Sequence, residues 1–327
     1  MDTILIRARN AGKLARFALR AGPMFWERLS QDRKRVVAPA PNVPDLTDWS
    51  ATSREGVRAI WIGHSTVLIR IAGVTILTDP VFSARIGIKI GPLTLGMKRL
   101  VHPALRIEES PAPDLILLSH AHMDHFDRPS LRKLENRGTT VITAVNTSDL
   151  LRVQRYHAVH ELAWGASRQV GPLNVRALEV NHWGARTHTD VHRGYNGYLI
   201  EAGQHRIIFG GDTAYTDLFR KVHSSKPVDL AIMPIGAYDP WIRAHCTPEQ
   251  ALAMANHAGA EFVLPVHHRT FKLSSEPYSE PIERLMLAAA SDEHRIAMRE
   301  IGEEFQLGEP VVYRAWNSIP AHAAARL

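Results

Sequence analysis

The chain contains only one cysteine, Cys246, among its 327 residues. One thiol cannot form an internal disulfide, and it excludes a metal site built on several thiolates. A reducing compartment fits this composition, so we expect a cytoplasmic protein, with peripheral contact to the inner membrane left open. Uninterrupted apolar runs of membrane-spanning length are also missing, so the sequence predicts no spanning helix.

No basic stripe with interleaved aromatic residues occurs, so we expect no nucleic-acid partner. The formal net charge is nevertheless +6, which favours acidic partners such as phosphate groups or anionic lipid. Internal repeats and low-complexity segments are absent as well. Histidine, in contrast, is abundant, with 18 copies, and any metal site must therefore use histidine and carboxylate ligands.

Residues 1–50 form the first predicted unit. Four basic residues fall on one side of a helical wheel: Arg9, Lys13, Arg16 and Arg20. The segment predicts a basic amphipathic helix, which either packs on its own domain or lies on an anionic membrane surface. A frayed or cleaved terminus is the remaining alternative. Arginines interrupt the apolar part of the segment, so we expect no secretory signal. Prolines recur in residues 38–45, which predicts an extended connector.

The residue pattern of the sequence changes at Val57. Short β-branched runs bounded by glycine or proline predict strands, first in an antiparallel series and later alternating with helices. Four segments have helical patterns: 129–138, 148–156, 247–259 and 279–291. This order predicts an α/β architecture in which helices cover the sheets. The predicted catalytic domain covers residues 51–316, and a tail follows at 317–327.

Three histidines and two aspartates crowd residues 119–127, "SHAHMDHFD", directly after an apolar strand. His120 and His122 are two positions apart, so their rings can point the same way from an extended backbone. Asp124 and His125 follow as the chain turns. A mononuclear site needs only three protein ligands, so this density of ligand-type residues predicts a pair of ions.

Further ligand-type residues stand where later strands end. His182 follows "LEV", Asp212 follows "IIFGG", and His267 and His268 follow "FVLPV". Glycines before Asp212 are expected to let the backbone approach an ion closely. Strand ends form a rigid rim, which metal chemistry requires. The alternative interpretation, polar capping of loops, needs all these residues to coincide by chance.

The motifs resemble those of the metallo-β-lactamase-fold hydrolases. Within that superfamily, "WIGHSTVLI", "ILTDPVFS", "NHWGART", "FGGDTAYTD", "PIGAYDPW", "HCTPEQAL" and "VHHRTF" are similar, in the same order, to segments of the N-acylphosphatidylethanolamine-hydrolysing phospholipase D family and its bacterial relatives. The similarity covers about residues 57–310. It implies a four-layered αββα sandwich, with two mixed sheets face to face and helices outside.

The resemblance also implies a ligand set for two metal ions. Zinc suits these ligands best, and iron and manganese stay open. The first ion is assigned to His120, His122 and His182. The second ion is assigned to Asp124, His125 and His267. Asp212 is expected to bridge the two ions.

The family has a tryptophan after its last histidine ligand, whereas this chain has His268 there. We therefore choose His267 as the ligand and expect His268 to support it from behind. Asp79 in "LTDP" corresponds to an aspartate that supports the metal loop by hydrogen bonding in the superfamily. Capping of the turn before Pro80 is the alternative for Asp79, and it does not conflict with that role.

Four residues are candidates for contact with substrate. His245 matches a histidine that the family places near the substrate phosphate, and it precedes a helix start that can receive an anion. Tyr238 on the "PIGAY" loop is a candidate for phosphate or leaving-group contact, and Arg186 for a substrate clamp. His64 in "IGHS" either approaches the site from the opposite wall or is a satisfied core histidine.

The resemblance implies metal-dependent phosphodiester hydrolysis, with N-acylphosphatidylethanolamine-like lipids or related phosphodiesters as substrates. Asp124 and Asp212 are expected to orient the attacking water and accept its proton, and His245 to neutralise developing charge. Two alternatives stay open. The first is a lactonase or another cyclic ester or amide hydrolase. The second is a non-catalytic, metal-stabilised binding protein associated with a membrane. The expected partners are a phospholipid substrate and an anionic membrane surface.

Overall fold

The computed structural model describes residues 32, 35–50, 56–90, 93–309 and 311. The predicted basic helix before Asp32 and the predicted tail at 317–327 lie outside the described residues. Residues 38–45, the expected connector, contain no helix or strand and touch the domain through a bridge between Ala38 and Val101.

The first sheet has seven strands in the order β15-β1-β2-β3-β6-β7-β8. They are β1 (Val57–Gly63), β2 (Thr66–Ile71), β3 (Val74–Thr78), β6 (Leu115–Leu118), β7 (Thr140–Ala144), β8 (Ala158–Leu162) and β15 (Glu304–Gln306). The neighbours from β15 to β3 pair antiparallel, and those from β3 to β8 pair parallel. The sheet is therefore mixed.

The second sheet has six strands in the order β14-β13-β12-β11-β10-β9. They are β9 (Ser167–Val170), β10 (Leu173–Leu178), β11 (Gly197–Ala202), β12 (His205–Phe209), β13 (Val228–Pro234) and β14 (Ala260–Val266). β9 to β12 pair antiparallel, whereas β12, β13 and β14 run parallel. A separate two-stranded hairpin consists of β4 (Arg85–Ile90) and β5 (Leu93–Lys98).

Three α-helices lie in the described chain: α1 (Arg128–Lys133), α2 (Pro248–His257) and α3 (Glu280–Ala289). α2 begins with a capping box between Thr247 and Gln250, which satisfies backbone donors of its first turn. The helix predicted at 148–156 is wrong, because the chain forms two short 3-10 turns there. Leu151, which ends the first turn, has an extended backbone with φ −97° and ψ 161°, so the two turns do not join into one helix.

The main core lies between the sheets. Trp61 and Leu117 of the first sheet pack in one buried cluster with Phe209 and Leu264 of the second. The outer face of the first sheet packs on the α1 side through a second cluster, and the outer face of the second sheet packs on α2 and α3 through a third. This helix–sheet–sheet–helix order confirms the predicted four-layered sandwich.

Candidate metal centre

Strand ends bring the ligand-type residues together. Asp79 follows β3 and His120 follows β6, and these two strands run parallel. Asp212 follows β12 and His267 follows β14, which also belong to a parallel set. Because parallel strands place their carboxyl ends at one edge of a sheet, both sheets present these side chains at the same rim.

One group of side chains consists of three histidines, His120, His122 and His182, and we call it the three-histidine group. The Nδ1 atom of His122 lies 2.8 Å from Nε2 of His120 and 3.3 Å from Nε2 of His182. Burial lowers the pKa of His122 to about 4 and places the pKa values of His120 and His182 well below their usual range. The three rings are therefore neutral near pH 7, as metal binding requires.

The partners of these rings orient them. Nδ1–H of His182 donates to the carbonyl of Ala244 at 2.8 Å, which leaves Nε2 facing His122. Nδ1 of His120 lies 2.8 Å from the hydroxyl of Ser119. Such outer hydrogen bonds set the orientation of metal-binding imidazoles.

A second group contains His64, Asp124, His125 and His267, and we call it the carboxylate group. Oδ2 of Asp124 lies 3.1 Å from Nε2 of His64, 3.5 Å from Nε2 of His125 and 3.4 Å from Nε2 of His267. Burial would raise the pKa of Asp124, but the positive charge of His125 beside it holds that pKa well below its usual range. Burial likewise opposes protonation of His267, yet the nearby Asp212 raises its pKa to about 9.

Asp212 lies between the two groups. Its Oδ2 is 3.1 Å from Nε2 of both His125 and His267. The same oxygen is 3.8 Å from Nε2 of His182 and 4.0 Å from Nε2 of His120. One carboxylate therefore contacts or approaches both groups of prospective ligands.

Several buried atoms of this cluster have no hydrogen-bond partner among the described residues. They are Nε2 of His125, Nε2 of His267, Oδ1 of Asp212 and Nδ1 of His245. A buried polar atom without a partner costs about 1–3 kcal/mol, so protein contacts alone satisfy this site poorly. Imidazole nitrogens and carboxylate oxygens that converge in this way fit metal ions.

Asp79 supports the loop of residues 119–125 from behind. Its carboxylate accepts from the backbone N–H of Ser119 at 2.7 Å, from the Ser119 hydroxyl at 2.6 Å and from Nδ1 of His125 at 2.7 Å. Gly211 packs close by with φ +59°, and a Cβ there would lie 2.8 Å from both Cβ of Ser119 and O of Asn196. The close approach of Ser119 and of the Asn196 backbone therefore requires a glycine at this position.

His64 and His245 both lie beside the cluster. His64 is fully buried, and its ring centre is 4.3 Å from that of His267. Burial lowers the pKa of His64 to about 3 and that of His245 to about 4. Nδ1 of His245 is 3.8 Å from Oδ2 of Asp212. Of the two alternatives for His64, its contact with Asp124 favours a place in the site.

The other two substrate candidates have different partners. Nη1 of Arg186 donates to the carbonyls of Ala121 at 2.9 Å and Phe126 at 2.8 Å. This side chain therefore joins two points of the metal loop, the segment 119–126 that contains four of the prospective ligands. The Tyr238 hydroxyl donates to Oε1 of Glu280 at 2.6 Å. These contacts favour supporting roles over the predicted contact with substrate.

The sequence predicted that His268 supports the neighbouring ligand His267 from behind. The ring of His268 stacks on Trp61 with centroids 4.7 Å apart, and no side-chain hydrogen bond joins it to a prospective ligand within the described chain.

Trp183 was not identified from the sequence, and its ring centre is 4.5 Å from that of His182 and 4.7 Å from that of His122. Its position directly after His182 was the available signal, and its 43% exposure makes it part of the surface of the site.

A four-layered sandwich with a histidine and aspartate cluster at its strand ends defines a class of metal-dependent hydrolases. Residues 74–268, more than half of the chain, match the model of the Beta-lactamase superfamily domain. The chain belongs to the metallo-β-lactamase superfamily, as the sequence motifs predicted, and is a metal-dependent hydrolase.

Relatives extend the match beyond that domain. An uncharacterized protein of Mycobacterium tuberculosis is 31% identical over 303 residues, which cover 90% of this chain and 80% of the relative. The N-acyl-phosphatidylethanolamine-hydrolyzing phospholipase D 1 of Caenorhabditis elegans is 30% identical over 277 residues, 79% of this chain and 77% of the relative.

The fold is similar to that of Igni18, a metallo hydrolase from Ignicoccus hospitalis. The TM-score is 0.58 at 20% identity, over 78% of this chain and 99% of that one. Within the described residues, no helix has both the length and the apolar character needed to cross a membrane.

Proposed function

We propose that the protein is a phosphodiesterase of the phospholipase D type that acts on N-acylphosphatidylethanolamine-like lipids. The observation that carries the proposal is the position of Asp212 between two groups of buried prospective ligands. Such an arrangement suits two adjacent metal ions, and two ions suit phosphodiester hydrolysis. The worm relative, which is named for this lipid reaction, supports the choice of substrate.

In this proposal the three-histidine group would hold one zinc ion. Asp124, His125 and His267 would hold the second, and Asp212 would contribute to both. When bound, the ions supply Lewis acidity and lower the pKa of water. Iron or manganese would fit the same ligand types.

The side chains of the site have separate tasks. The Asp124 and Asp212 carboxylates orient the attacking water and accept its proton. His64 holds Asp124 through the 3.1 Å contact between Nε2 and Oδ2. The neutral ring of His245 can donate a hydrogen bond to an oxygen of the scissile phosphate as charge develops there.

Exposed apolar side chains near the site support a lipid substrate. The Trp183 side chain is 43% exposed, and its ring contacts His182 of the three-histidine group. Trp241 and Ile242 are 43% and 44% exposed on the chain leading to His245. These groups offer apolar surface to the acyl or glycerol part of a phospholipid.

Zinc-loaded protein tests the proposal on bis(nitrophenyl) phosphate, on N-acylphosphatidylethanolamine in detergent micelles and on a lactone panel. We expect turnover of both phosphodiesters, with phosphatidic acid and N-acylethanolamine as the lipid products. The H120A variant should lose this activity, whereas H223A, which changes an exposed histidine outside the site, should keep it. Turnover of lactones alone would reject the phosphodiesterase, and wild-type behaviour of H120A would reject metal-dependent catalysis.

A further inference from the structure

The β4–β5 hairpin stands apart from both main sheets and exposes large apolar side chains. Ile88 and Leu95 face each other across the two strands, and they are 59% and 44% exposed. Two positions nearer the base, Ile86 pairs with Met97, and this pair packs into a buried cluster. Because side chains alternate along a strand, both pairs lie on one face. This apolar face therefore continues from a buried base to an exposed outer part.

The base of the hairpin is part of the wall of the metal centre. Ile86 clusters with Phe271, and Met123 of the metal loop packs against the same cluster. Phe271 in turn contacts the ring of His64 edge-on, with centroids 5.3 Å apart. Any surface that binds the outer part of the hairpin would therefore lie beside the metal centre.

The charged residues of the hairpin and of the adjoining chain segment all have one sign. Residues 81–107 contain no aspartate or glutamate. Lys89 is exposed next to Ile88, and no ion pair or hydrogen bond of its side chain occurs among the described residues. Exposed apolar groups beside an uncompensated cation are complementary to a bilayer with anionic headgroups.

Asp32 contacts the base of the hairpin. Its Oδ2 accepts from the backbone N–H of Lys98 at 2.9 Å and from Nη1 of Arg85 at 3.4 Å. The preceding residues 1–31 contain six basic side chains and two acidic ones.

A glycine pair keeps the hairpin thin. Gly87 and Gly96 face each other with φ +145° and +156°. A Cβ on either residue would lie 2.0 Å from a carbonyl oxygen of the opposite strand. The backbones can approach this closely only without side chains, so the face opposite Ile86 and Met97 carries little bulk at this position.

We propose that the β4–β5 hairpin docks the protein onto an anionic phospholipid bilayer. Ile88 and Leu95 enter the interface between headgroups and acyl chains, and Lys89 lies at the level of the headgroups. Docking in this way holds the metal centre at the surface that contains its substrate. The purpose of the docking rests on the proposed lipid phosphodiesterase, whereas the docking itself does not.

Vesicle sedimentation of the full-length, zinc-loaded protein tests this proposal. The vesicles contain phosphatidylcholine alone or phosphatidylcholine with phosphatidylglycerol. The double variant I88S/L95S should bind the anionic vesicles about tenfold or more weakly, because two partly exposed apolar side chains no longer leave water. K89E should weaken binding to the anionic vesicles by about fivefold or more and leave binding to the neutral ones unchanged.

L287S is the matched control, since Leu287 is 79% exposed on α3. It should bind vesicles like the wild type, and all variants should keep the wild-type melting temperature and turnover of bis(nitrophenyl) phosphate. Undiminished vesicle binding by I88S/L95S would overturn the proposal, as would an equal loss in L287S. A wild-type dimer that only I88S/L95S dissociates, without a change in vesicle binding, would show that the hairpin contacts a second copy instead.

Binding and turnover are measured separately. Hairpin-dependent vesicle binding without phosphodiester turnover would reject the proposed function and keep the docking surface. Turnover of vesicle lipid at the wild-type rate by I88S/L95S, with unchanged vesicle binding, would reject the docking surface and keep the proposed function.

Discussion

The three-histidine group and the carboxylate group differ in how their charge is balanced. In the first group, burial keeps His120, His122 and His182 neutral by lowering their pKa values. In the second, burial also opposes charge, but the contacts with Asp124 and Asp212 raise the pKa values of His125 and His267. Two groups with similar ligand types therefore start from different protonation states.

The difference in histidine pKa between the two groups shows that a nearby carboxylate decides the protonation state of a buried imidazole. Metal binding at the three-histidine group would displace no protons, because its rings are already neutral. Metal binding at the carboxylate group would release the protons that balance Asp124 and Asp212, so it would compete with acid. Asp212 connects the two behaviours because it approaches both groups.

The largest effect is expected from D212A, which should weaken metal binding at both groups and so remove the difference between them. Since Oδ2 of Asp212 approaches histidines of both groups, its loss should weaken both sites and lower kcat/KM by about 10³-fold or more. Metal content by mass spectrometry and turnover of bis(nitrophenyl) phosphate measure the two effects. D217A, at an exposed aspartate, is the control. Retention of both metals at full occupancy would contradict a position shared between the groups.

D79N should affect the carboxylate group more than the other, because Asp79 accepts directly from Nδ1 of His125. We expect a loss of about 10–100-fold in metal affinity, the usual effect of removing such an outer partner. D114N is a matched control, since Asp114 accepts a backbone N–H from Thr75 outside the metal centre. Competition with a chromophoric chelator measures the affinity. Equal affinities in D79N and the wild type would show that Asp79 only caps its turn.

R186Q should weaken both groups alike. Arg186 holds the carbonyls of Ala121 and Phe126, which flank ligands of both groups. We expect metal affinity to fall by about tenfold through loss of two charged hydrogen bonds, while KM at saturating metal stays at the wild-type value. R128Q, at the start of α1, is the control. A rise in KM without a change in metal affinity would restore the predicted substrate clamp.

The smallest effect is a difference in proton release. Near pH 7, zinc binding should release protons from His125 and His267, whose pKa values are raised, and none from the three-histidine group. Lowering the pH should therefore weaken zinc binding at the carboxylate group first. Calorimetry in buffers with different ionisation enthalpies counts the protons. H267A should release fewer protons than H182A, and equal release would contradict the distinction between the groups.

Some of the site could be predicted because its residues are local in sequence. His120, His122, Asp124 and His125 lie in one loop, and an apolar run marks the strand before them. The helix predicted at 148–156 failed for the opposite reason. The Glu161 carboxylate, 13–15 residues further along the chain, accepts from the backbone N–H groups of residues 146–148, and Leu151 has an extended backbone that interrupts the helix.

The sequence by itself determined the layered α/β class and the positions of the ligand-type residues, because hydrophobic periodicity and strand-ending motifs are local properties. Only the tertiary structure decided that His64 joins Asp124, that Arg186 holds the metal loop and that Ile88 and Leu95 stay exposed beside the site. These features depend on which chain segments pack together across the two sheets. Burial and charge at a position come from those distant neighbours, and no local pattern contains them.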